Sequence, residues 1–245
     1  LADRTVPDLV SGASDPTWVG VPVLVGGERY VGPIRSRVEE NEWVAPSETT
    51  WPGIAAGSTS QLAFSIEPKA PWPEPGTTVE IPIVVEAADL EASYRTTVTL
   101  DVVEPTVAHR VTFRSDIDGS VQYYGVLPPT DPEADDLGLV LTLHGAGVEA
   151  IGQARAYSAK DWAWIVAPTN RRPFGFDWEV WGRADGIEVL EHATARYAPD
   201  PSRIHVTGHS MGGHGTWQFG VLFPGRFATV GPSAGWDSFY SYGGS

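Results

Sequence analysis

Residues 137–143, Leu-Gly-Leu-Val-Leu-Thr-Leu, form a nearly continuous apolar run. A strand with water on one face alternates apolar and polar side chains, so a run without alternation belongs to a strand covered on both faces. Strands of that kind lie at the centre of parallel sheets, and successive parallel strands must be joined by crossovers, usually helices. The neighbouring sequence supplies that pattern. Residues 121–127, 162–167, 204–207 and 228–230 read as further strands. Residues 184–197, with apolar side chains at Ile187, Leu190 and Ala193, read as a helix, and 214–223 as another.

The first hundred residues read differently. Short runs at 18–25, 60–66, 78–85 and 94–103 are separated by stretches rich in proline and glycine, such as Pro71-Trp72-Pro73-Glu74-Pro75-Gly76. In 78–83 and 96–102 the period is two, which suits half-buried strands. No convincing helix appears, and a small sandwich is the natural solution. Glu104-Pro105-Thr106 marks the change of pattern. The expected fold is therefore multidomain: an all-β sandwich over residues 1–105, then a mostly parallel, three-layer α/β/α domain over 106–245.

Composition narrows the chemistry. The chain has 245 residues, 42% hydrophobic and 19% charged, which is globular rather than disordered. With no cysteine there is neither a disulfide framework nor a thiolate metal site. A net charge of −15 disfavours nucleic acid and anionic membranes as partners. No apolar run is long enough to span a bilayer, so membrane insertion is not expected. Met211 is the sole methionine, so Leu1 is not an encoded start. The chain is read as processed, trimmed or cut from something longer, and an extracellular or periplasmic location is expected.

The sharpest chemical signal is Gly208-His209-Ser210-Met211-Gly212-Gly213. It contains G-x-S-x-G, directly after an apolar β run and at the start of a helix. A serine hydroxyl is a poor nucleophile unless it is exposed in a tight turn beside a base. Such a turn tolerates only tiny neighbours, hence glycines two residues before and two after the serine. A second small-residue turn, His144-Gly145-Ala146-Gly147, follows the strongest strand. There, backbone N–H groups can face an acyl oxyanion together with the N–H of Met211. Either Ala146 or Gly147 could supply the second donor, and Ala146 is favoured. His144, Gly145, Gly208 and Gly212 are read as support for the two turns.

The stretch 200–213, Asp-Pro-Ser-Arg-Ile-His-Val-Thr-Gly-His-Ser-Met-Gly-Gly, resembles the elbow region of the α/β-hydrolase superfamily. Within it the closest groups are prolyl-oligopeptidase-like hydrolases and esterases of the feruloyl and polyhydroxybutyrate-depolymerase kind. Tyr123-Tyr124-Gly125-Val126-Leu127-Pro128-Pro129 and Leu141-Thr142-Leu143-His144-Gly145 are similar to the same groups. The resemblance covers about residues 110–245. It implies a serine hydrolase acting through an acyl-enzyme on Ser210, without cofactor or metal, on a small-molecule or polymer-linked ester. A serine peptidase is the alternative, and a non-catalytic carbohydrate- or surface-binding protein a further one. The β domain resembles immunoglobulin-like modules that precede some bacterial esterases.

The superfamily orders its triad Ser, then Asp or Glu, then His. Here no histidine follows His214, and Asp237 is the only late acid, read as a surface or capping residue. The acid and base are expected beyond Ser245, with the C-terminal part of the hydrolase outside this chain. His109, His192, His205 and His214 show no metal-ligand spacing, and no metal site is expected. Two aromatic groups remain open: residues 174–182 as a border of the substrate cleft, and Trp18, Trp43, Trp51 and Trp72 as a sugar-stacking face. Each is weighed against ordinary packing.

Overall fold

The computed structural model describes residues 4–171 and 175–237. The chain divides into two compact units: Leu1–Pro105 with Val111–Tyr123, and Thr106–Arg110 with Tyr124–Ser245.

The first unit contains β1 (Leu9–Val10), β2 (Thr17–Leu24), β3 (Ile34–Val38), β4 (Val44–Ala45), β5 (Ser47–Trp51), β6 (Thr59–Pro68), β7 (Thr78–Ala87) and β8 (Ala92–Val103). A single 3-10 turn, Ala88–Leu90, joins β7 to β8. The strands form a five-stranded sheet, β1-β8-β7-β3-β5, and a three-stranded sheet, β2-β6-β4. Alternation explains the core. Val79, Ile81 and Ile83 of β7 point inward, while Thr78 and Glu80 are exposed. They join Val98 and Leu100 of β8 and Val19, Leu62, Phe64 and Ile66 of the other sheet in one apolar cluster. Each such side chain contributes about 1.5–3 kcal/mol by leaving water. Ser36 is a buried polar side chain of this unit: it donates to Ala63 O at 2.8 Å and accepts from Trp51 Nε1 at 2.9 Å. A buried hydroxyl satisfied on both sides carries little penalty.

The tryptophans of this unit are engaged in packing. The Arg114 guanidinium lies 5.5 Å from the Trp18 ring centre and 5.1 Å from that of Trp51. Trp43 packs against the apolar cluster. These three rings, all half-buried, therefore make packing contacts within the unit.

The remaining elements are β9 (His109–Arg114), β10 (Val121–Leu127), β11 (Gly138–Leu143), α1 (Ala150–Arg155), β12 (Ala163–Pro168), α2 (Trp181–Tyr197), β13 (Ile204–His209), α3 (Met211–Leu222) and β14 (Thr229–Ser233). The sheet order is β14-β13-β11-β12-β10-β9. β11 is parallel to β12 and β13, and β13 to β14; β10 is antiparallel to β12. Every residue of β11 is buried, as its unbroken apolar run requires.

The layering follows from two adjacent residues of β10. The Tyr124 hydroxyl lies 3.2 Å from His192 Nδ1 and 3.3 Å from the Tyr197 hydroxyl, both on α2. A β-carbon on Gly125 would stand 2.6 Å from Ala150 O, on α1. Consecutive strand residues face opposite sides, so α1 and α2 cover opposite faces of the sheet.

Two helix starts differ from the sequence reading. α2 begins at Trp181 rather than 184, and α3 at Met211 rather than 214. Glycines at 182, 212 and 213 lower helix propensity, but close packing holds them there, against the Asn170 side chain at 182 and against neighbouring backbone at 212 and 213. The buried face of α2 is Gly182, Asp185, Gly186, Val189, Leu190 and Ala193; Ile187 is only half-buried.

Candidate active site

The order β13-β11-β12 contains the point where the chain reverses its direction of travel across the sheet. From β11 the crossover through α1 leads to β12 on one side; the crossover through α2 then returns to β13 on the other. In open parallel sheets, ligands bind outside the carboxyl ends of the two strands flanking such a point. Here those ends are Leu143 and His209, with Leu143 in register with Gly208. The two turns singled out in the sequence follow them.

Ser210 is the single residue between β13 and α3, with φ 58° and ψ −120°. A residue with a β-carbon is held there only at a cost of about 1–3 kcal/mol. Surrounding contacts maintain it. The Ser210 N–H donates to Ser233 O at 3.0 Å, and its carbonyl accepts from His214 N–H at 3.1 Å. Gly208 and Gly212 make the crossing possible. A β-carbon on Gly208 would stand 2.7 Å from Leu143 O, and one on Gly212 would overlap that same oxygen. Thr216 Oγ1 donates to Gly212 O at 2.8 Å and closes the first turn of α3.

The turn after β11 abuts this elbow. A β-carbon on Gly145 would lie 3.7 Å from Ser210 Cβ. His144 is fully buried, with Nε2 3.1 Å from Thr169 O and Nδ1 3.0 Å from Gly145 O. Ala146 and Gly147 are exposed, and neither gives its N–H to an acceptor among the described residues. Met211 opens α3, where the first N–H groups have no intrahelical acceptor and the dipole favours negative charge.

Among the described residues, no histidine hydrogen-bonds the Ser210 hydroxyl. His209 Nδ1 instead lies 3.3 Å from Ser233 Oγ. His214 is buried in α3, stacked on Trp236, with Nδ1 2.9 Å from Trp236 O and Nε2 3.4 Å from Glu179 Oε1. His205 packs edge-on against Trp162, His192 meets Tyr124, and His109 Nδ1 faces Val107 O at 2.8 Å. No group of three His, Cys, Asp or Glu side chains among the described residues could hold a metal ion. Asp237 is exposed.

Of the aromatic loop, Phe174 lies outside the described residues. Trp178 is 0% exposed and packs inward, whereas Phe176, Val180 and Trp181 are exposed. Asp177, Trp178 and Val180 all have positive φ, at 56°, 61° and 43°. The Trp178 indole donates to His144 O at 3.1 Å. Its ring meets His144 edge-on at 5.0 Å, and a β-carbon on Gly215 would stand 2.5 Å from Trp178 Cγ. Burial raises the Asp177 carboxyl above its ordinary range; Glu179 adds to this and His214 opposes it.

Sequence reasoning missed a buried polar cluster behind the turn. Asp185, fully buried on α2, accepts from Thr169 Oγ1 at 3.3 Å. Buried Arg171 pairs with Glu188 at 3.2 Å. Burial pushes the Asp185 carboxyl up to about 6, against the lowering effect of the Arg171 N–H and guanidinium and of Thr169. The available signal was an acid at helical spacing within a stripe of small and apolar residues.

No protein-family model matches the chain. An uncharacterized secreted protein of Arthroderma benhamiae is 32% identical over 147 residues, covering 51% of this chain. The chain spans about 15% of the length of that curated relative. Among solved structures, a thermostable esterase is similar at TM-score 0.41 and 19% identity, over 86% of this chain and 71% of that one. The S-formylglutathione hydrolase of Staphylococcus aureus is similar at TM-score 0.45 and 18% identity, over 56% of this chain and 60% of its own. A ferulic acid esterase is similar at TM-score 0.44 and 19% identity, over 51% and 57%. No helix among the described residues is long and apolar enough to cross a membrane.

Proposed function

We propose that this chain carries the nucleophile and oxyanion side of a serine hydrolase that cleaves carboxylic esters through an acyl-enzyme on Ser210. The observation that carries the reading is the Ser210 backbone, at φ 58° and ψ −120°, between a central parallel strand and a helix. Strain of this size persists only where the surroundings impose it, and such positions cluster at functional sites. Here the strain lifts a hydroxyl to the carboxyl edge of the sheet, at the point where ligands bind such folds.

The chemistry then runs as follows. Ser210 Oγ attacks the ester carbonyl carbon while its proton passes to a general base. The carbonyl oxygen becomes an oxyanion, held by the N–H groups of Met211 and Ala146. Collapse expels the alcohol, which takes the proton from the base. Water, deprotonated by the same base, attacks the acyl carbon and releases the acid, returning the proton to Ser210 Oγ. The reading takes a histidine base from outside the described residues, because no histidine among them hydrogen-bonds Ser210 Oγ. No cofactor takes part.

The unit that precedes this fold within the chain is a small all-β module, read here as immunoglobulin-like; an ester is the preferred substrate and a peptide the alternative. We place the protein outside the cytoplasm, acting on a small-molecule or polymer-linked ester. Ser210→Ala, in protein expressed from its complete gene, tests the assignment. Hydrolysis of a nitrophenyl ester falls by about 10³-fold or more with the melting temperature unchanged. Near-normal kcat in the variant would exclude Ser210 as the nucleophile.

A further inference from the structure

We propose that Trp178 is a positioning residue of this site, a buried strap that sets the direction of the oxyanion-turn amides; this rests on the ester-hydrolase reading above. The indole N–H donates to His144 O and thereby fixes the peptide plane between His144 and Gly145. The next plane is fixed by the His144 ring, whose Nδ1 stands 3.0 Å from Gly145 O, and by the Val148 N–H at 3.3 Å from the same oxygen. In a trans peptide the carbonyl and N–H point in opposite directions. With Gly145 O drawn toward His144 and Val148, the Ala146 N–H is turned away from them, with no acceptor among the described residues. Trp178 thus acts one peptide unit upstream of the Ala146 donor, and its ring also bears on the His144 imidazole edge-on.

The same indole reaches the other half of the site. It fills the space over Gly215, where any β-carbon would collide with it, and it meets Phe219 edge-on at 6.4 Å. Gly215 and Phe219 lie on α3, the helix that Ser210 opens. One side chain therefore touches the turn carrying Ala146 and the helix carrying Met211, the two expected oxyanion donors. The loop that presents it is strained at Asp177, Trp178 and Val180, and fully burying a tryptophan offsets that strain. Phe could fill most of the space but could not donate to His144 O.

Two variants remove the donor: Trp178→Phe, which also gives up part of the ring, and replacement of Trp178 by benzothienylalanine, which keeps the bicyclic shape and has sulfur for N–H. Active sites are counted by stoichiometric fluorophosphonate labelling of Ser210, and kcat is expressed per labelled site. A merely structural role lowers the number of labelled sites and leaves kcat per site alone. Positioning lowers kcat per site by roughly 10-fold or more with KM within about twofold, part of the 10²–10³-fold worth of one oxyanion donor. If either variant is labelled like the wild type and its kcat per site stays within about twofold, Trp178 does not position the turn. Absence of label in the wild type overturns the hydrolase reading and this role together.

Discussion

The α-carbon of Gly212 rests against the carbonyl oxygen of Leu143, with no room between them for a β-carbon. This contact brings the helix that follows Ser210 onto the end of β11. A β-carbon at 212 must push two backbone segments apart, and neither has a flexible side chain to yield. Gly212→Ala is therefore expected to destabilise the protein by about 1–3 kcal/mol or more, the scale of overpacking. Gly152, in the six-residue helix α1, meets nothing nearer than Val148 Cγ1 at 3.8 Å. Gly152→Ala is expected to stabilise by up to ~1 kcal/mol through helix propensity alone. Denaturant unfolding of the two variants gives opposite signs; equal effects would mean that the elbow contact is not tight.

The elbow was legible in the sequence because its chemistry is local. Gly208, Ser210 and Gly212 stand between an apolar β run and a helix, and the contacts that require the glycines lie within that segment and the adjoining strand end. Strands with clear alternation, such as β7, or unbroken apolarity, such as β11, were legible for the same reason. β3, β5 and β9 were not, being five or six residues long and carrying charged or hydroxyl side chains on one face. α1 was hidden by its brevity and by Gly152. The burial of Trp178 and Asp185 arises only through tertiary packing: Trp178 lies over Gly215, which has no side chain, and Asp185 meets Thr169 and Arg171 just past the end of β12. The antiparallel pairing of β10 in a sheet expected to be mostly parallel likewise leaves no mark in side-chain pattern.

Asp185 gives the protein a distinctive pH dependence. Its carboxyl titrates near 3.8 in the unfolded chain and at about 6 in the fold. Between those values the folded state binds more protons than the unfolded one, so stability falls as pH rises from 4 to 6 and is flat above. Asp185→Asn removes that titration. The variant therefore gains on the wild type by up to ~3 kcal/mol across this window, measured as the difference in unfolding free energy at pH 4 and pH 7. A pH-independent difference would mean that Asp185 ionises freely inside the fold.

Proline at 146 has no N–H and cannot donate to an oxyanion. Ala146→Pro is expected to slow ester turnover by roughly 10²–10³-fold, the effect of losing one donor. Circular dichroism and thermal melting should be nearly unchanged, because Ala146 is exposed and its N–H has no acceptor among the described residues. Undiminished turnover would transfer the role to Gly147, whose φ of 77° already sets the turn apart.

The central claim is that the strained serine between β13 and α3 is a nucleophile. The most direct test treats protein expressed from its complete gene with a fluorophosphonate and maps the adduct by peptide mass spectrometry. The expected result is one phosphonyl group per chain, carried on Ser210, and none on the Ser210→Ala variant. A wild-type protein that hydrolyses esters while its label lies on another residue, or that labels equally after Ser210→Ala, would contradict the account.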